Sequence, residues 1–76
     1  MGVGTSKNDE RIRIGKRIKE IREEKNLEAK TLSLLTGIDA ANLCRIEQGK
    51  QSVGIDVLSK IANAMGYKIE FVELKK

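Results

Sequence analysis

The tripeptide Gly37-Ile38-Asp39 constrains this chain more than any other feature, because it separates two short stretches that both carry helical spacing. Before it, Leu32 and Leu35 fall three apart within Leu27 to Thr36, and Gly37 is the residue a helix accepts most readily at a left-handed C-terminal cap. After it, Asp39 can cap a second stretch in which Leu43 and Ile46 again lie three apart, and Gly49 stops that stretch near Gln48. Two short helices joined by a tight turn are therefore expected.

The flanks add helices and then change period. Ile14, Ile18 and Ile21 place one apolar face on a first helix over Arg11 to Lys25, with Lys and Arg on its other side, and Asn26 interrupts it. Beyond a polar loop from Lys50 to Gly54, the residues Ile55, Leu58, Ile61, Ala62 and Met65 keep helical spacing until Gly66. From there Tyr67, Ile69 and Phe71 alternate with Lys68 and Glu70, which is a strand signature. An isolated strand leaves its ladder hydrogen bonds unmade, so a symmetric partner copy is expected to pair with it through Tyr67, Ile69, Phe71 and Val72.

The fold class that follows is mainly α: a compact four- to five-helix domain with a C-terminal β-strand pairing across a dimer. Residues 1–9 are small, polar and without periodicity and read as a disordered lead-in, residues 10–66 as the helical domain, and residues 67–76 as the dimerisation strand and tail. Seventy-six residues allow one domain, and so short a chain buries only about 60% of its unfolded surface.

Composition removes several classes of function. There is no histidine and a single cysteine, Cys44, so neither an internal disulfide nor a metal site is expected, and no cofactor is called for. No nucleophile stands beside a base, no carboxylate pair sits in an apolar setting and no glycine-rich phosphate loop occurs, so no catalysis is expected. Nothing approaches the roughly 18 apolar residues of a membrane span, and the N-terminus lacks a secretory pattern, which puts the expected location in the cytoplasm and away from membranes. A net charge of +4 favours an anionic partner, modestly.

Two short helices about a glycine-containing turn form the helix-turn-helix arrangement, whose second member lies in the DNA major groove. The segment Leu27 to Gly49, LEAKTLSLLTGIDAANLCRIEQG, resembles the phage-repressor type (Xre/Cro) helix-turn-helix family, and the likeness extends from Ile14 to Met65. Its markers are Leu27, Leu32, Gly37, Ile38, Leu43, Ile46, Glu47 and Gly49, with Arg22 ahead of them.

The resemblance implies an ion pair between Arg22 and Glu47 that locks the reading helix against the scaffold. It also implies base reading by Ala40, Ala41, Asn42, Cys44 and Arg45, flanked by Ala29, with Gln48, Lys50, Gln51 and Ser52 gripping phosphates. Ala40 and Ala41 depart from the polar residues usual in the family and offer only apolar contact, for instance to thymine methyl groups, so Arg45 is the candidate for guanine. Asn42 is left between an adenine edge, a phosphate and plain solvent, and Cys44 between a redox switch and a small residue in place of serine. Leu34 and Thr36 look exchanged relative to the family, which implies a rotated second helix or a contact patch at Leu34.

The expected function is that of a sequence-specific DNA-binding transcriptional regulator, a repressor, acting as a homodimer on a two-fold symmetric operator in double-stranded DNA. The alternative is an antitoxin that binds a partner toxin and represses its own operon, since many antitoxins resemble this family and add a C-terminal strand. A scaffold that keeps the fold but serves protein contacts alone is the third reading.

Overall fold

The computed structural model describes residues 7–75. Among the described residues four helices follow one another: α1 Lys7–Glu24, α2 Ala29–Thr36, α3 Ala40–Glu47 and α4 Ile55–Ala64. The core is drawn from all of them, with Ile18 and Ile21 of α1, Leu32 of α2, Leu43 and Ile46 of α3, Ile61 of α4, and Met65 at the α4 C-cap. Leu32, Leu43 and Ile61 are wholly enclosed, each contributing about 1.5–3 kcal/mol through burial of its side chain.

Helix α1 begins four residues ahead of the Arg11 start that apolar spacing predicts, so the disordered lead-in expected over residues 1–9 is corrected at its end, and residues 1–6 lie outside the described residues. No apolar stripe marks this first turn; electrostatics does. Asp9 and Glu10 carry negative charge where the helix dipole favours it, and Glu10 Oε1 lies 2.6 Å from Arg13 Nη2, one turn on. Asn26, at φ 55°, turns the chain after α1, and the Leu27 N–H closes the end by donating to the Arg22 carbonyl at 2.9 Å.

Helix α2 is turned from the orientation that Leu32 and Leu35 predict. Leu32 and Thr36, four apart, face inward, while Leu34 and Leu35 are exposed, Leu34 at 78%. A threonine is tolerated in the core because its hydroxyl is satisfied twice: it donates to the Leu32 carbonyl at 2.8 Å and accepts from the Ile38 N–H at 3.2 Å. Ile55, expected on the inner face of α4, also lies outside at 79% exposure.

The chain from Tyr67 to Lys75 forms neither helix nor strand, so the β-strand expected there is absent among the described residues of the single chain. Its start is anchored. Tyr67 N–H donates to the Ala62 carbonyl at 2.8 Å, and Lys25 Nζ lies 5.6 Å from the Tyr67 ring centroid. Beyond it Phe71, Val72 and Leu74 are almost wholly exposed. No helix among the described residues is long and apolar enough to cross a membrane.

Candidate nucleic-acid interface

The turn between α2 and α3 fixes how α3 is presented. Gly37 takes φ 75°, the left-handed region closed to most side chains, and its N–H donates to the Ser33 carbonyl at 2.8 Å. Two α2 side chains then hold Ile38 from both ends: the Thr36 hydroxyl accepts its N–H, and the Ser33 hydroxyl donates to its carbonyl. Asp39 caps α3, accepting from the Ala41 N–H at 3.1 Å.

At its other end α3 is pinned to α1. Arg22 meets Glu47 through two parallel bonds, Nε to Oε2 at 2.7 Å and Nη2 to Oε1 at 3.1 Å, and Nη1 also donates to the Leu27 carbonyl at 2.9 Å. The side chains are 14% and 5% exposed, so solvent screens the pair little. The bond to Glu47 also raises the pKa of Arg22 above its ordinary value.

Gly15 was not singled out by sequence reasoning, yet it sets how closely α1 approaches α3. A Cβ built there would clash with the Ile46 carbonyl and lie 2.8 Å from the Glu47 oxygen. The signal was available in principle, because a glycine inside a helical pattern costs about 1 kcal/mol against alanine unless packing requires it.

With Leu43 and Ile46 turned inward, α3 shows solvent a stripe of Ala41, Cys44, Arg45 and Gln48, spaced three, four and seven residues from the first. Ala40 and Asn42 flank the stripe, half-buried. The two polar base-reading candidates meet, since Arg45 Nη1 donates to Asn42 Oδ1 at 2.7 Å. That bond orients the guanidinium, whose remaining donors have no other partner among the described residues, while the Asn42 amide keeps its own two donors.

The residues expected to grip phosphate follow directly. Gln48, Lys50 and Ser52 are exposed and Gln51 is half-buried, and the loop folds back on α3 through Gln48 N–H to the Cys44 carbonyl at 3.0 Å and Lys50 N–H to the Arg45 carbonyl at 2.9 Å. Ala29 sits half-buried in the first turn of α2, where Glu28 makes no side-chain cap. The basic face of α1 is partly neutralised by its own acids: Arg13 is bonded to Glu10, lowering the pKa of that carboxyl, and Arg17 lies 3.4 Å from Glu20 and 3.9 Å from Glu24. Among the described residues no group of His, Cys, Asp or Glu is arranged to hold a metal, and Cys44 is a free, exposed thiol.

Comparison with known proteins agrees with this geometry. The HTH_3 helix-turn-helix family profile matches residues 18–72. The restriction-modification controller protein C.AhdI from Aeromonas hydrophila has a similar structure, with a TM-score of 0.76 and 28% identity over 79% of this chain and 91% of that one. An HTH_3 family transcriptional regulator from Vibrio cholerae is similar at a TM-score of 0.78 and 28% identity, over 83% of this chain and 35% of the Vibrio protein, so the chain spans about a third of that relative. A comparison with curated protein sequences finds no match.

Proposed function

This chain belongs to the HTH_3 helix-turn-helix family, and from that premise we propose that it is a sequence-specific DNA-binding transcriptional regulator, acting as a repressor and as a homodimer on a two-fold symmetric operator. The observation that carries this reading is the exposed face of α3, where the bonded pair Asn42 and Arg45 stands beside Ala41, Cys44 and Gln48 on a helix pinned at both ends. An α-helix with its side chains is about 10–12 Å across, which fits a major groove about 12 Å wide.

In this reading Arg45, steadied by Asn42, presents two donors to the O6 and N7 of a guanine, and Asn42 uses its amide donors on a neighbouring base or phosphate. Ala40 and Ala41 pack against thymine methyl groups. Lys50, Gln48, Gln51 and Ser52 take phosphates on one side of α3, and the uncapped first-turn amides of α2 near Ala29 take one on the other. Two copies joined through their C-terminal segments would set the α3 helices about 34 Å apart.

Binding to the protein's own operator tests these roles. Arg45→Ala is expected to weaken specific binding by about 1–3 kcal/mol and relax one base preference, and Lys50→Ala to weaken all sequences alike and flatten the salt dependence. Equal, sequence-independent losses in both variants would overturn the division between base reading and phosphate gripping.

A further inference from the structure

The segment Tyr67 to Leu74 exposes five apolar side chains, and its charges determine how it meets a second copy of itself. We propose that two copies pair as a short antiparallel ladder with its two-fold axis at Ile69, so that Tyr67 faces the partner's Phe71, Ile69 the partner's Ile69, and Lys68 the partner's Glu70. This rests on the dimer reading above and specifies its geometry.

Register follows from elimination. Directly opposed residues of an antiparallel pair share a face, so a symmetric ladder must be centred on a residue if the apolar side chains are to stay together. Centring on Lys68 opposes lysine to lysine, and centring on Glu70 opposes glutamate to glutamate. Centring on Phe71 sets Ile69 against Glu73, and centring on Val72 sets Phe71 against Glu73. A parallel, in-register pair stacks Lys68 on Lys68 and Glu70 on Glu70. Among these registers the Ile69 centre alone opposes Tyr67, Ile69 and Phe71 to one another across the pair and matches opposite charges on the other face.

Three structural observations fit that register. Lys68 Nζ lies 3.5 Å from Glu70 Oε1, so both charged side chains lie on one side of the segment. The Tyr67 N–H is already given to the Ala62 carbonyl, which requires Tyr67 to occupy a position whose N–H points away from the partner strand. Tyr67, Ile69 and Phe71 are then all non-hydrogen-bonded positions, and the ladder bonds run between Lys68 and the partner's Glu70. Finally, Tyr67 and Ile69 are 40% and 42% exposed while Phe71 is 99% exposed. Opposite the partner's Tyr67, Phe71 comes to lie near the partner's Lys25, whose ammonium stands over that tyrosine ring. The apolar alternation also slips after Phe71, where Val72 and Leu74 take the other parity, so the ladder ends at that residue and Val72 falls on its outer face.

Cross-linking tests this with the full chain carrying Cys44→Ser, so that an introduced cysteine stands alone. Under oxidised glutathione, Ile69→Cys is expected to form a disulfide-linked dimer, because non-hydrogen-bonded pairs approach to about 4.5 Å between Cα atoms. Tyr67→Cys and Phe71→Cys are each expected to stay unlinked alone and to link when mixed. Charge reversal supplies the second measurement: Lys68→Glu and Glu70→Lys should each raise the dimer dissociation constant about tenfold, and a mixture of the two should recover wild-type association. A wild-type protein that sediments as a monomer would overturn the dimer reading itself. A wild-type dimer in which Phe71→Cys links to itself, or in which Ile69→Cys does not link, would overturn this register and leave the dimer standing.

Discussion

Helix α3 and the C-terminal segment both reach the surface, but they differ in what they leave there. Helix α3 buries Leu43 and Ile46, fixes its ends through Asp39 and the Arg22–Glu47 pair, and exposes small and polar side chains. The segment after Gly66 leaves Phe71, Val72 and Leu74 almost bare, with its first residue tied to the body through Ala62 and Lys25. A helix whose own chain completes its packing is ready to meet a polar ligand. A segment whose apolar side chains exceed what its own chain covers is suited to meet another protein surface, and in the pairing proposed above the self-complementary charges around Ile69 select a second copy.

That contrast predicts a gradient of mutational sensitivity. Removing Arg22 while leaving Glu47 should have the largest effect, about 3 kcal/mol in urea denaturation, because a carboxylate is stranded in a poorly solvated place; replacing both residues with Met and Leu should cost much less. Gly15→Ala is expected to cost about 2 kcal/mol, although alanine favours helix, since the new methyl group forces α1 away from the end of α3. A gain in stability there would show that the close approach does not constrain the scaffold. Thr36→Val keeps the shape but leaves the Ile38 N–H without its acceptor, for a loss of about 1 kcal/mol. Phe71→Asp should change monomer stability by less than about 0.5 kcal/mol and still abolish association in sedimentation experiments. A variant that stays dimeric would break the comparison at its second half.

Much of the scaffold was legible because its signals are local. Gly37 and Asp39 mark the turn between α2 and α3, and the spacing of Ile18 with Ile21 and of Leu43 with Ile46 marks inward faces that the structure keeps. The misjudged places are those where polar chemistry overrides apolar spacing. Apolar spacing extends the stripe of α2 to Leu35, but Thr36, able to bond Leu32 and Ile38, takes the inner position. The start of α1 lacks any apolar cue and is favoured by carboxylates acting on the helix dipole. For the site, the resemblance supplied the positions, whereas the bond joining Asn42 to Arg45 and the pinning of Ile38 depend on side-chain rotamers that no sequence spacing encodes.

In the proposed function the α3 faces of two joined copies read a symmetric DNA site. Selection of genomic fragments by the purified protein at low and high salt, followed by sequencing of the bound DNA, tests it most directly. An inverted repeat whose half-sites lie one helical turn apart centre to centre is expected to be enriched, with recovery falling steeply at high salt. Recovery of fragments with no shared sequence, or of none at either salt concentration, would contradict it.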